Sequence, residues 1–204
     1  MSLRSIIVEQ FKRPRGLLGR LAGFIMANRP SNRQRNEWTV SLLALEPSHR
    51  VLEIGCGPGF ALKACATKLS GGYIVGIDHS EIMISQAQRR LAMEIRAGRG
   101  EVLLSSLSGL ETGCNIYDRI FSSNVVQFLP DIDVGFRKIY DCLINRGVAA
   151  TTYQPRSKNP ARRNALEMAA RIETAMKAAG FKQIERHELS LEPVPAVCVT
   201  GVKA

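Results

Sequence analysis

Val51-Leu52-Glu53-Ile54-Gly55-Cys56-Gly57-Pro58-Gly59 is the stretch from which the rest of the chain can be read. An apolar run closes on an acid and then breaks into three alternating glycines. A second apolar run, Tyr73 to Ile77, ends on Asp78. Between the two runs, Phe60 to Leu69 has helical spacing and Gly71-Gly72 supplies a turn. Strand, glycine turn, helix and a second strand tipped by a carboxylate form one unit of a parallel sheet, and such a unit builds a nucleoside pocket. Glycines let a backbone adopt positive φ and approach a ligand closely. Asp78 can accept two hydrogen bonds from a ribose diol.

The alternation continues outward from this unit. Ser80 is placed to cap a helix reaching about Ala97, with Glu81 at its positive end. Strands are expected over 101–104, 117–122 and 148–153. Helices are expected from Pro130-Asp131 to about Leu143 and from Ala161 to Ala179, closed by Gly180. Asn145-Arg146-Gly147 reads as a turn. The last two strands, 183–189 and 197–202, lie too close for a parallel crossover and should be antiparallel. The fold class is therefore α/β: a Rossmann-like three-layer sandwich on a mostly parallel sheet. Upstream, Ser31 or Asn32 can cap a helix to about Leu45, with Trp38, Leu42 and Leu45 on one side. Residues 1–35 read as a basic N-terminal arm, a candidate lid over a binding site, containing a short amphipathic segment, Leu17 to Ala27, and 36–204 as a single domain.

The bulk properties agree. The chain has 204 residues, 45% hydrophobic and 23% charged, which suits one α/β domain. Its five cysteines are scattered without a C-x-x-C pair, and its three histidines lack ligand spacing, so no metal site is expected. The net charge of +10 is uneven: residues 1–36 hold eight Lys/Arg against one acid, Glu9. Arg156, Lys158, Arg162 and Arg163 form a second basic cluster. The imbalance favours anionic partners or simply serves solubility. Leu17 to Ala27 is too short to span a bilayer, which takes about twenty residues. The expected location is the cytoplasm, with peripheral contact to an anionic inner membrane face as the alternative.

The spacing of the glycines selects the ligand. A nicotinamide dinucleotide goes with G-x-G-x-x-G, where pyrophosphate sits on a helix N-terminus. This chain reads G-x-G-x-G, with Glu53 just ahead. A carboxylate there suits a ligand with a cationic amino group and no phosphates, which is S-adenosylmethionine. Four segments then fall in order: V-L-E-I-G-C-G-P-G (51–59), G-I-D-H-S-E-I-M (76–83), Y-D-R-I-F-S-S-N-V-V-Q-F-L-P-D (117–131) and A-G-F (179–181). Together they resemble a class I S-adenosylmethionine-dependent methyltransferase of the small-molecule type.

That resemblance implies a seven-stranded sheet of order 3-2-1-4-5-7-6 with its last strand antiparallel. It implies that Glu53, Gly55 and Gly57, in a loop with Cys56 and Gly59, hold the methionine end. Asp78 would hold the ribose hydroxyls, with His79 and Met83 flanking the adenine. Ser106 and Leu107 would meet the adenine edge, where many relatives place an acid. Ser123 and Asn124 would line the methionine end. Met83 serves equally well as core, His79 as a loop residue, and Trp38 as a packing anchor or an aromatic wall of the acceptor site.

Acceptor-side residues follow from position. Tyr153 and Gln154, past the fifth strand, are the candidate catalytic polar groups. Arg33, Arg35 and Arg156, with Trp38 and Tyr153, are candidates for holding a small, acidic or amphiphilic acceptor. The N-P-P-Y-type tetrad is replaced by Ser123-Asn124-Val125-Val126, which disfavours nucleobase methylation. Three other readings stay open: a membrane-associated phospholipid or quinone-type lipid methyltransferase, an RNA methyltransferase, and a non-catalytic S-adenosylmethionine-binding protein.

Overall fold

In the computed structural model, which describes residues 30–110, 115–157 and 159–204, the glycine stretch joins β1 (Arg50–Ile54) to α2 (Phe60–Ala66). Ahead of it lies α1 (Pro30–Ser41). β2 (Tyr73–Asp78), α3 (Glu81–Arg90), α4 (Ala92–Arg96) and β3 (Gly100–Leu104) follow. The second half runs β4 (Tyr117–Ser123), α5 (Ile132–Cys142), β5 (Leu143–Tyr153), α6 (Arg162–Ala179), β6 (Lys182–Leu189) and β7 (Ala196–Val202). The amphipathic segment Leu17 to Ala27, Lys158 and Cys114 lie outside the described residues.

The seven strands form one sheet of order β3-β2-β1-β4-β5-β7-β6. β1 pairs in parallel with β2 and β4, and β5 pairs antiparallel with β7. Alternating side chains feed two cores. Leu52, Ile54 and Val75 pack under α5 and α6 with Phe136, Ile139 and Ile172. Val51, Ile74 and Phe121 pack under α1, α2 and α3 with Leu43, Leu62 and Ala87. Both faces are thus covered, as a parallel sheet requires. The order reverses between β1 and β4, so their connections diverge and open a crevice at the carboxyl ends of the strands.

Several local expectations change. α1 stops at Ser41, and its most buried side chains are Arg35, Thr39 and Val40, followed by Leu43 just beyond it; Trp38, Leu42 and Leu45 are only partly buried. The helix crosses position 35, so Arg35 belongs to the folded body rather than to an arm. Ser80 occupies the N-cap position of α3 without a side-chain capping bond, and its own N–H donates to Asp78. The helical run to Ala97 breaks at Leu91. Asn145-Arg146-Gly147 is drawn into β5 rather than left as a turn: Arg146 N–H donates to Lys203 O, and Lys203 N–H to Gly147 O, each at 2.9 Å. Asp131 caps α5 by accepting the Val134 N–H at 2.9 Å, and Gly180 closes α6 at φ 103°.

Candidate functional site

The glycine turn is held in shape from both sides. Gly55, Gly57 and Gly59 have φ of +67°, +51° and +81°, a region that L side chains enter at a cost. The Cys56 N–H donates to Ile77 O at 3.0 Å, extending the β1–β2 register into the loop. Asp78 closes the far side: one carboxylate oxygen accepts the Gly57 N–H at 2.9 Å, and the other accepts the Ser80 N–H at 2.9 Å. His79 Nδ1 stands 3.7 Å from Asp78 Oδ1 on a mostly exposed ring. Arg90, from α3, stacks 3.6 Å above the Phe60 ring and donates to the Pro58 carbonyl.

Beneath the turn lies Glu53, only 3% exposed. Its Oε2 is buried and has no hydrogen-bond partner. Burial, and then the nearby Asp78, push its carboxyl well above the ordinary carboxylate range, against the backbone N–H of Leu62. An orphaned buried carboxyl oxygen is costly unless a donor arrives. Around Gly57 a Cβ would meet nothing within 4 Å, so the backbone there faces open space. A carboxyl short of a cationic donor, a second carboxylate at the neighbouring strand tip and an open glycine backbone fit a ligand carrying an ammonium and a vicinal diol.

On the other side of the reversal stand the tips of β4 and β5. Asn124 adopts φ 57°, and its side chain is bonded twice to the Gln154 backbone, donating to O at 3.1 Å and accepting from N at 2.8 Å. Gln154 is fully buried, and its side chain donates to the Val194 and Glu192 carbonyls. It therefore is not presented to an acceptor as position alone suggests. Arg35 is 5% exposed; its Nε donates to Ser123 Oγ and its Nη1 to Gln154 Oε1, both at 2.9 Å. Arg33 lies on the outside, paired with Glu37 at 2.9 Å. Met83 and Leu107 are buried, Ser106 is exposed and shares a hydrogen bond with Ser108, and Tyr153 is partly buried. Position in sequence marked Arg35 and Gln154, but nothing in their neighbours signalled that they bond to each other.

Residues 52–149 match the family model described as a methyltransferase domain. The seven-stranded order with its antiparallel last strand is the architecture that goes with that match. The chain belongs to the class I S-adenosylmethionine-dependent methyltransferases. It is 29% identical over 183 residues to the uncharacterized methyltransferase YdaC of Bacillus subtilis (strain 168), covering 90% of this chain and 98% of that protein. It is 26% identical over 133 residues to trans-aconitate 2-methyltransferase of Variovorax paradoxus (strain S110), covering 64% of this chain and 49% of that one. The crystal structure of a SAM dependent methyltransferase from Aquifex aeolicus superposes with a TM-score of 0.71 at 18% identity, over 88% of this chain and 96% of that one.

As a member of this family the protein is an enzyme that uses S-adenosylmethionine. The site's chemistry fits that cofactor, whose ammonium and ribose diol call for the two kinds of acceptor found at Glu53 and Asp78. Among the described residues no group of His, Cys, Asp and Glu is arranged to hold a metal ion, and no helix is long and apolar enough to cross a membrane.

Proposed function

We propose that this methyltransferase acts on a small acidic or amphiphilic acceptor bound between α1 and the tips of β4 and β5. The observation that carries the reading is the pairing of an open glycine turn over an orphaned buried Glu53 with a buried arginine, Arg35, held at the tips of β4 and β5. In this reading Glu53, Gly55, Cys56, Gly57 and Gly59 hold the methionine end and Asp78 the ribose. His79, Met83, Ser106 and Leu107 flank the adenine. Ser123 and Asn124 edge the methionine end.

The bound cofactor supplies an activated methyl on a sulfonium. The protein's part is alignment, which alone supplies on the order of 7–11 kcal/mol when reacting groups are held in line. None of the three histidines stands at the β4 or β5 tip: His49 precedes β1, His79 follows β2 and His187 lies on β6. Burial pushes the Tyr153 phenol upward from 10.0, so near neutrality it donates a hydrogen bond instead of taking a proton. An acceptor that is already anionic has no proton to lose. The absence of a histidine at these tips and the buried Arg35 beside them support the same acceptor class, and the trans-aconitate methyltransferase likeness points the same way.

Calorimetry with S-adenosylmethionine and with NAD tests the cofactor half of the reading. Tight binding of the first and none of the second is expected; preference for NAD would overturn it. Mass spectrometry of a metabolite extract incubated with isotopically labelled cofactor tests the acceptor half. Label is expected in a small carboxylate-bearing or amphiphilic product. Label in RNA alone, or in nothing, would refute the assignment.

A further inference from the structure

We propose that Arg90 is a positioning residue for the cofactor: from the end of α3 it locks the glycine turn in the shape that receives the methionine end. The proposal rests on the placement of that end over residues 55–59 and assigns the group outside the turn that keeps it ready.

The turn contains three positive-φ glycines, at +67°, +51° and +81°. Such residues have much chain entropy to lose, so the turn keeps one shape only if its polar groups are tied down. Its first half is tied through β2: the Cys56 N–H donates to Ile77 O at 3.0 Å, and the Gly57 N–H to Asp78 Oδ2 at 2.9 Å. Its second half is tied through α3. Arg90 donates to the Pro58 carbonyl, and its guanidinium carbon lies 3.6 Å from the centre of the Phe60 ring. These two contacts fall on either side of Gly59. At Gly59 itself the helix comes so close that a Cβ would sit 3.0 Å from both Cα and Cβ of Ala87. Ala87 and Arg90 are three residues apart and so share one face of α3.

Among the described residues no carboxylate pairs with Arg90, and burial pulls its guanidinium below the ordinary range. A partly buried cation without an acid is costly; here a carbonyl and an aromatic face offset the cost. The helix dipole does not require it, because Arg89 stands in the same last turn. The other end of α3 is bound to the same loop, since the Ser80 and Gly57 N–H groups share the Asp78 carboxylate. Asp78 and Arg90 thus pin the turn to the two ends of one helix. A ligand then meets a surface that is already ordered, and loss of a pin transfers the ordering cost to binding.

Wild type, Arg90→Gln, Arg90→Lys and Arg89→Ala are compared by calorimetry with S-adenosylhomocysteine and by amide hydrogen exchange. In wild type, saturating S-adenosylhomocysteine should slow exchange at Cys56, Gly57 and Gly59. Arg90→Gln should bind about tenfold more weakly, the factor for a turn ordered about one-tenth of the time. Exchange at the same three amides of the free variant should quicken by about tenfold or more, while the amides of β4 keep their wild-type rates. Arg90→Lys keeps a donor but loses the flat stack, so it should fall between the two; it also serves as the test if the glutamine form folds poorly. Arg89→Ala, an exposed change in the same helical turn, should match wild type in both measurements. Unchanged affinity in Arg90→Gln overturns the proposal. So does weaker binding with wild-type exchange at the turn, or with exchange quickened throughout the sheet. S-adenosylhomocysteine that binds wild type without slowing exchange at residues 55–59 refutes the placement of the methionine end instead, so the two failures are told apart.

Discussion

Asp78 and Glu53 are both acids at strand ends, yet their surroundings give them different behaviour. Asp78 accepts two backbone N–H groups and so fixes the loop that it also serves. Asp78→Asn should weaken S-adenosylmethionine binding by about ten- to a hundredfold, the range of one to two charge-assisted hydrogen bonds, as read by calorimetry. Glu53 makes a pH-dependent prediction with two opposite signs. Its folded-state pKa is raised above 4.5, so the free protein holds a proton there that the unfolded chain releases. Stability of the free protein should therefore fall as pH rises from about 4.5 through the raised value. Cofactor affinity should rise over the same window, because a cationic amine pairs with the ionised form. Glu53→Gln should flatten both profiles, which urea denaturation and calorimetry in two buffers would record. Both acids were visible from their place after apolar runs. Arg35 falls at the end of the stretch that reads as a basic arm, yet it is buried. Its partners, Ser123 and Gln154, lie 88 and 119 positions away. Burial created by such distant contacts leaves no mark in local sequence.

At the scale of elements, the β1–α2 turn makes its glycines unequal. At Gly55 a Cβ would fall 2.4 Å from Val125 Cγ2, whereas at Gly57 it would meet nothing within 4 Å. Gly55→Ala should cost about 2–4 kcal/mol through overpacking added to positive-φ strain. Val125→Ala should recover part of that loss in a double-mutant denaturation series. Gly57→Ala should cost only about 1 kcal/mol of stability, from φ alone, and yet weaken cofactor binding, because its methyl would enter the open space. The strand–glycine–helix–strand unit was legible because its periodicity is local. The start of β5 was not. Residues 145–147 look like a turn until Lys203, at the end of β7, supplies their backbone partners. Ser80 stands at the expected N-cap position, but its hydroxyl makes no capping bond.

For the molecule as a whole, the sheet is tied shut at one corner by a buried lysine. Lys203 Nζ donates to Tyr140 O and Leu143 O, each at 2.8 Å, and to Asn115 Oδ1 at 2.7 Å. It also lies 4.7 Å from the Tyr140 ring centroid. Lys203→Met would fill the space but remove three hydrogen bonds around the end of α5, at a cost of about 2–3 kcal/mol. Urea denaturation should show a lower midpoint with an unchanged slope. The strand order followed from the family resemblance, whereas spacing by itself indicated a mainly parallel sheet with an antiparallel final pair.

Suppose an engineer wished to give this catalyst a relative's specificity by splicing two genes. The reversal of strand order invites a cut between β3 and β4, keeping the cofactor half and importing the rest. Such a hybrid would carry α1 from the wrong parent, and Arg35 would be left beneath side chains that never coevolved with it. Recombination should keep the hydrogen bonds of Arg35 only when residues 30–41 travel together with 115–204, even though the same helix packs its apolar side on the first half.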